Sequence, residues 1–171
     1  MKETDTPELK NHSIVWSYPP IEQNQAESGI GYLLAVKEGR IPPPPVWSLI
    51  GCRLAEISEE SVTLEATPRE YHLNRFGVVQ GGILCTILDA TMACTLGISL
   101  SRETRFSSPE LKVNYFRPVT MQTGLILCRS TFIHKGKQIA VLEGKILDKE
   151  GKIYAQSMST FMIFMKSKKT D

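Results

Sequence analysis

The sequence predicts an α+β domain in which one curved antiparallel sheet wraps a single long central helix. Three observations predict it. The stretch from Gly82 to Leu100 reads as helical and almost wholly apolar, with Asp89 its only charge. Alternation of apolar and polar residues marks two strands before that stretch and four after it. Short connections of hairpin composition join the later strands. A helix that is apolar on all sides must be covered all round, and six strands in one curved sheet supply that cover.

Composition sets the limits. A chain of 171 residues holds one domain with a real core and a short extension. Hydrophobic residues make up 42% and charged residues 22%, which fits a globular protein and argues against disorder. The net charge of +2 is no nucleic-acid footprint, and Lys166–Lys169 reads as a solvated tail. The four cysteines, Cys52, Cys85, Cys94 and Cys128, form no C-x-x-C pair and have no histidine at ligand spacing. They read as free thiols of a reducing cytoplasm, with no metal site expected. The polar start from Met1 to Lys10 lacks the apolar core of a signal peptide.

The elements follow in order. Residues 1–46 form an N-terminal extension: a polar start, then a short amphipathic helix in Ser28 to Arg40 carrying Ile30, Leu33 and Leu34. Pro42 to Pro45 end that helix and favour a stiff polyproline spacer, or a ligand for a proline-recognition domain. Residues 47–166 form the main domain, and 167–171 a polar tail. Leu49 to Ile57 and Ser61 to Thr67 pair as a hairpin about Ser58-Glu59-Glu60, with Val62, Leu64 and Ala66 on one face. After the helix, Glu110 to Phe116, Leu125 to Ile133, Gln138 to Leu147 and Ile153 to Phe164 read as an antiparallel four-strand meander. No internal repeat is visible.

The chemistry concentrates where the helix begins. The lead Asn74-Arg75-Phe76-Gly77-Val78-Val79-Gln80-Gly81-Gly82 is rich in turn residues. Glycines at a helix start leave backbone N–H groups open to a carbonyl or phosphate oxygen, so Gly77 and Gly82 are candidate substrate contacts. A lone carboxylate in an apolar helix is costly unless it is paired, hydrogen-bonded or used. Donors and a carboxylate together suggest acyl chemistry: the donors hold a developing oxyanion while Asp89 attacks or activates water. The alternatives are a structural carboxylate, a core helix with packing glycines, or a membrane span. The span is disfavoured by Asp89 near the middle, by Thr86, Thr91 and Thr95, and by the lack of flanking Lys/Arg.

The order of elements and these residues resemble the hotdog-fold acyl-CoA thioesterases, in particular the phenylacetyl-CoA thioesterase-like (PaaI-type) branch. The matching residues are Asn74-x-x-Gly77-x-x-Gln80-Gly81-Gly82 followed by Asp89, the strand Glu110-Leu-Lys-Val-Asn-Tyr-Phe-Arg-Pro118, and the hairpins from Gly136-Lys137 to Ala155. The resemblance implies that Asp89 is the catalytic carboxylate, that the Gly81 N–H donates to the thioester carbonyl, that Asn74 orients water or thioester, and that Ser108 assists. Gln80 stands where many relatives carry His. It can hydrogen-bond but cannot titrate near neutral pH, so a positioning role remains. The resemblance also implies a homodimer, often paired into a tetramer, with an acyl-CoA substrate, no separate cofactor, and neither nucleic acid nor membrane as partner.

Spacing bears on that arrangement. Gly81 and Asp89 lie eight residues apart, roughly 12 Å along a helix. One thioester carbon cannot touch both on the same helix, whereas antiparallel helices of two subunits can bring them together. His12, His72 and His134 are poorly placed for a triad, and His72 reads as a surface or loop residue. Lys135 and Lys137 lie on a hairpin, where they either meet the CoA phosphates or form a solvated turn. Two other functions fit the same pattern: a hotdog hydratase or dehydratase, which usually needs a histidine close to the acid, and a non-catalytic acyl-CoA or lipid binder, which does not need Asp89.

Overall fold

The computed structural model describes residues 8–17, 29–101 and 104–164. The polar start before residue 8, Ser28, the Lys166–Lys169 cluster and the 167–171 tail lie outside the described residues. Helix α1 spans Gly29–Lys37 and α2 spans Pro45–Ile50. Strands β1 (Cys52–Ile57) and β2 (Ser61–Ala66) follow, then α3 (Gly81–Gly97) and β3 (Arg105–Tyr115). The last elements are β4 (Ile126–Lys135), β5 (Ile139–Leu147) and β6 (Ile153–Phe164).

All six strands form one antiparallel sheet in the order β1-β2-β4-β5-β6-β3. This α+β hotdog architecture is the expected one, with α3 lying across β2, β4 and β5. Strict alternation makes the inner face. Along β5, Ala140, Leu142, Gly144 and Ile146 point inward, while Glu143 and Lys145 point out. Leu88, Met92 and Leu96 of α3 have no exposed surface against that face. Thr91 and Thr95 share the same buried side, their hydroxyls donating to the carbonyls of Ile87 and Thr91 one turn back, so neither brings an unpaired hydroxyl into the core.

Three expectations need correction. The last four strands are not a meander: β4, β5 and β6 run consecutively, but β3 pairs with β6 and β4 pairs with β2. The connection explains why. Val119 is buried and its carbonyl accepts the Val79 N–H at 2.8 Å, which tucks the chain beneath the 73–79 loop and delivers it beside β2. Second, Leu49 and Ile50 are helical rather than extended. Pro45 starts α2 at a position where its missing N–H costs nothing, and Gly51, at φ +63°, ends the helix.

Third, the sheet covers α3 on one side only. Gly82, Cys85, Thr86, Asp89, Ala90 and Ala93 form a partly exposed stripe at helical spacing. Its residues are small, so leaving it open forfeits little apolar burial.

Helix and sheet approach so closely that only glycine fits at position 144. A Cβ there would lie 2.9 Å from Ser157 Oγ, 3.1 Å from Leu88 Cδ2 and 3.4 Å from Met92 Cγ. Valine is the better strand former in isolation. Gly144→Val is nevertheless expected to lower stability by about 1–3 kcal/mol through overpacking, with Gly144→Ala intermediate. Urea unfolding measures both, and an unchanged midpoint for the valine variant would show that α3 does not press on β5 as described.

Candidate active site

The loop before α3 is built by Asn74. Its Oδ1 accepts the Phe76 N–H at 2.9 Å, its own N–H donates to Val78 O at 2.8 Å, and its carbonyl accepts the Gly77 N–H at 3.0 Å. The turn needs a left-handed residue, and Gly77 supplies it at φ +74°. A bridge between Leu73 and Val79 closes the loop. The Asn74 side-chain NH2 is then the part of that amide left to donate.

Gln80 is the N-cap of α3, but its exposed side chain does not cap the helix. The Ile83 N–H returns to the Gln80 carbonyl at 2.9 Å. The N–H groups of Gly81 and Gly82, at the positive end of the helix dipole, are left without a capping side chain. Asn74 and Gly81 line one cavity of about 350 Å3 together with Val79, Tyr115 and Arg117.

Asp89 stands two turns further along, on the open stripe, beside a different residue. Ser108 Oγ donates to Asp89 Oδ1 at 3.1 Å. Ser108 reaches the helix because β3 bulges between Ser107 and Glu110, at Pro109, which has no N–H to offer the ladder. The candidate residues therefore fall into two groups, or candidate half-sites: Asn74, Gln80 and Gly81 at the helix start, and Asp89 with Ser108 midway.

The remaining candidates are scattered. Gly77 is in the loop and Gly82 is exposed at the helix start. Lys135 lies 5.2 Å over the Phe132 ring and lines a separate cavity with Ser58 and Thr131, and Lys137 is exposed on the following turn. Neither lysine joins either half-site within the chain.

Tyr115 carries no sequence signal, and His72 departs from its expected place. The Tyr115 hydroxyl donates to the Gly81 carbonyl at 2.9 Å. Burial and the neighbouring Cys85 push its phenol above the ordinary tyrosine range, so it remains a donor. His72, expected at a surface or loop position, sits in the 3₁₀ turn Glu70–His72 and is only 4% exposed. Its Nδ1 accepts the Arg69 N–H at 3.2 Å, and its carbonyl accepts the Gln80 N–H at 2.8 Å, so this turn sets where α3 begins. No spacing signal could have shown either contact, because both join residues through the folded backbone.

Burial pushes the thiols of Cys52, Cys94 and Cys128 up to about 12, which leaves them inert. All four cysteines are free. Among the described residues, no group of three or more His, Cys, Asp or Glu is placed to hold a metal ion, and no helix is long and apolar enough to cross a membrane.

Residues 76–155 match the family model of the thioesterase superfamily. A protein of Saccharolobus solfataricus named as an esterase is 24% identical over 121 residues, 69% of this chain and 82% of that protein. Among solved structures, a phenylacetic acid degradation-related protein of Ralstonia eutropha, named as a thioesterase, superimposes with a TM-score of 0.70 at 25% identity, over 77% of this chain and 98% of that one. A mutant form of the phenylacetic acid degradation protein PaaI of Thermus thermophilus gives a TM-score of 0.63 at 18% identity, over 70% and 98%.

The buried turn makes stability depend on pH. Burial is the first cause of a lowered His72 pKa, Arg69 and His12 add to it, and the Leu49 carbonyl opposes it. Unfolding then takes up a proton below the ordinary value of 6.5. The stabilisation is complete above that value and is lost as pH falls through the lower folded one. His72→Asn keeps an acceptor for the Arg69 N–H but does not titrate. Between pH 7.5 and 5 the wild-type urea midpoint is expected to fall more steeply than that of His72→Asn; parallel slopes would remove His72 as the cause.

Proposed function

This chain belongs to the hotdog-fold thioesterase superfamily, PaaI type, and from that membership we propose that it hydrolyses an acyl-CoA thioester to free acid and CoA. Thioester hydrolysis is the general activity of the family. The acyl-CoA substrate and the residue roles are our reading of the site. The observation that carries it is the pairing of uncapped helix-start N–H groups at Gly81 and Gly82 with a half-buried carboxylate on the open stripe of the same helix.

In the proposed reaction the Gly81 N–H donates to the thioester oxygen as negative charge develops there. Asp89 takes a proton from water while the water oxygen attacks the carbonyl carbon, or attacks that carbon itself to form an anhydride that water then cleaves. The C–S bond breaks, and the CoA thiolate leaves and is protonated. Ser108 holds Asp89 by its 3.1 Å hydrogen bond. Asn74 orients water or thioester through its free NH2, and Gln80 positions without titrating. A thioester is an activated acyl donor, so this reading invokes no separate cofactor. Four free thiols suit a cytoplasmic setting.

The separation of the half-sites supports an oligomer. Gly81 and Asp89 are roughly 12 Å apart along α3, and the stripe between them is small and open. Antiparallel packing of two such helices would set the Gly81 of one subunit opposite the Asp89 of its partner. We therefore place two composite sites in a homodimer, with pairing of dimers as the next level.

A panel of aromatic, medium-chain and long-chain acyl-CoAs, assayed for thiol release, tests the activity. Asp89→Ala should fold normally and lose about two orders of magnitude or more in turnover. Rates within a few-fold of wild type in a well-folded Asp89→Ala protein would remove the carboxylate from the mechanism, and binding without thiol release by wild type would identify a non-catalytic binder.

Subunit mixing tests the composite site. Two inactive variants, Asp89→Ala and Asn74→Ala, are co-refolded. A mixed dimer holds one doubly damaged site and one intact site, so activity should recover to an appreciable fraction of wild type. No recovery in verified mixed dimers, or full activity in a verified monomer, would place the whole site within one chain.

A further inference from the structure

The two glycines that open α3 pose a physical problem. An oxyanion donor works when it is already aimed before charge develops, because reorganising it during the reaction costs rate. Glycine is the residue that loses most conformational freedom on becoming helical, and an unaided Gly-Gly first turn frays. Gln80 contributes no side-chain cap to counter this. Something else must hold the turn.

Tyr115 is built to do so. It is the last residue of β3, where it pairs with Ala155 of β6, so its backbone is fixed by the sheet. From there its ring lies flush on the helix start: a Cβ on Gly81 would meet Tyr115 Cζ and Oη, each at 3.2 Å. Position 81 has no positive φ, so a side chain there would be opposed by this contact rather than by backbone conformation. The hydroxyl then donates to the Gly81 carbonyl at 2.9 Å, and the ring forms part of the wall of the cavity shared by Asn74 and Gly81.

We propose that Tyr115 is a positioning residue for the oxyanion donors, clamping the Gly81–Gly82 peptide through the Gly81 carbonyl. The inference rests on the thioesterase reading above. It adds a residue that acts through Gly81 and needs no contact with substrate. Two effects follow from the one hydrogen bond. It restrains the turn, so that the Gly81 N–H keeps its direction. It also polarises the peptide whose other end is the Gly82 N–H, because hydrogen bonds in series strengthen one another. The raised phenol pKa keeps the proton on the tyrosine oxygen, so the clamp persists across neutral pH.

The test is Tyr115→Phe, which keeps the ring and removes only the donor. The clamp predicts a fall of roughly tenfold or more in kcat with KM unchanged within about twofold, since alignment rather than uniform binding is lost. It also predicts faster amide hydrogen exchange at Cys85 and Thr86, whose N–H groups close the first turn of α3 onto the Gly81 and Gly82 carbonyls, with the Leu88 and Met92 amides and the melting temperature unaffected. The exchange measurement needs no substrate, which separates the two claims. If wild type releases no thiol from any acyl-CoA, the thioesterase reading fails and the catalytic role of Tyr115 fails with it, whatever the exchange result. If wild type is active, unchanged exchange and kcat in Tyr115→Phe would overturn the clamp alone. A raised KM at constant kcat would also overturn it, because Tyr115 would then be a substrate contact.

Discussion

The close approach of α3 to the inner face of the sheet controls everything else in this molecule. Gly144 leaves space where the helix crosses the sheet, and Leu88 and Met92, both fully buried, fill it. Burying each of those two side chains contributes about 1.5–3 kcal/mol, so the helix has one favoured rotation about its axis. Asp89 follows Leu88 by one residue and is therefore turned about 100° away from the sheet. Rotating α3 to bring Asp89 inward would give up the Leu88 and Met92 contacts and would also bury a charge. The position of the carboxylate on an open face is thus a consequence of core packing.

The chain's own extension decides which part of that face remains open. Gly29 of α1 packs against the C-terminal end of α3 so tightly that a Cβ would lie 1.7 Å from the Gly97 carbonyl oxygen, and its N–H reaches Leu100 O at 3.4 Å. Leu33 of α1 joins the core, and Tyr32 is half-buried beside Cys94. The C-terminal turns of α3 are therefore covered from within the chain, while the stripe from Gly82 to Ala93 is left partly exposed. Gly82 and the Asp89 carboxylate lie on this stripe, with Cys85 and Thr86 between them, and Gly81 directly precedes it.

The sequence made the helix, its lone carboxylate and the glycine start legible because each is a local pattern: a period, a missing charge, a pair of turn residues. Strand existence was legible for the same reason, since alternation in β5 and β6 survives as alternating burial. Strand order was not. Whether β3 pairs with β4 or β6 depends on where the 116–125 connection travels, and that is fixed by Val79 and Val119 meeting across the fold. The half-site pairs divide in the same way. Asp89 and Gly81 announced themselves by type and spacing, whereas the Tyr115 hydroxyl on the Gly81 carbonyl joins residues 34 positions apart. The turn at His72 was illegible for a related reason: a histidine beside a polar loop looks exposed until the chain folds Leu49 and Gly51 against it.

The two half-sites also divide the electrostatic work. At the helix start the groups are the backbone N–H of Gly81, the Asn74 amide, the exposed Gln80 amide and the Tyr115 phenol, joined by Arg117, whose guanidinium is anchored to the Ile153 carbonyl at 2.5 Å. The amides do not titrate, and the phenol is held protonated. Together they present a fixed field of donors. The other half-site holds Asp89 with a hydroxyl neighbour that only donates to it. In the proposed reaction, proton exchange is therefore confined to one carboxylate, and stabilisation of developing charge to a set of dipoles that need no proton movement. Glutamine at position 80 fits that division, because a histidine there would introduce a second titrating group at the end of the site where constancy is useful.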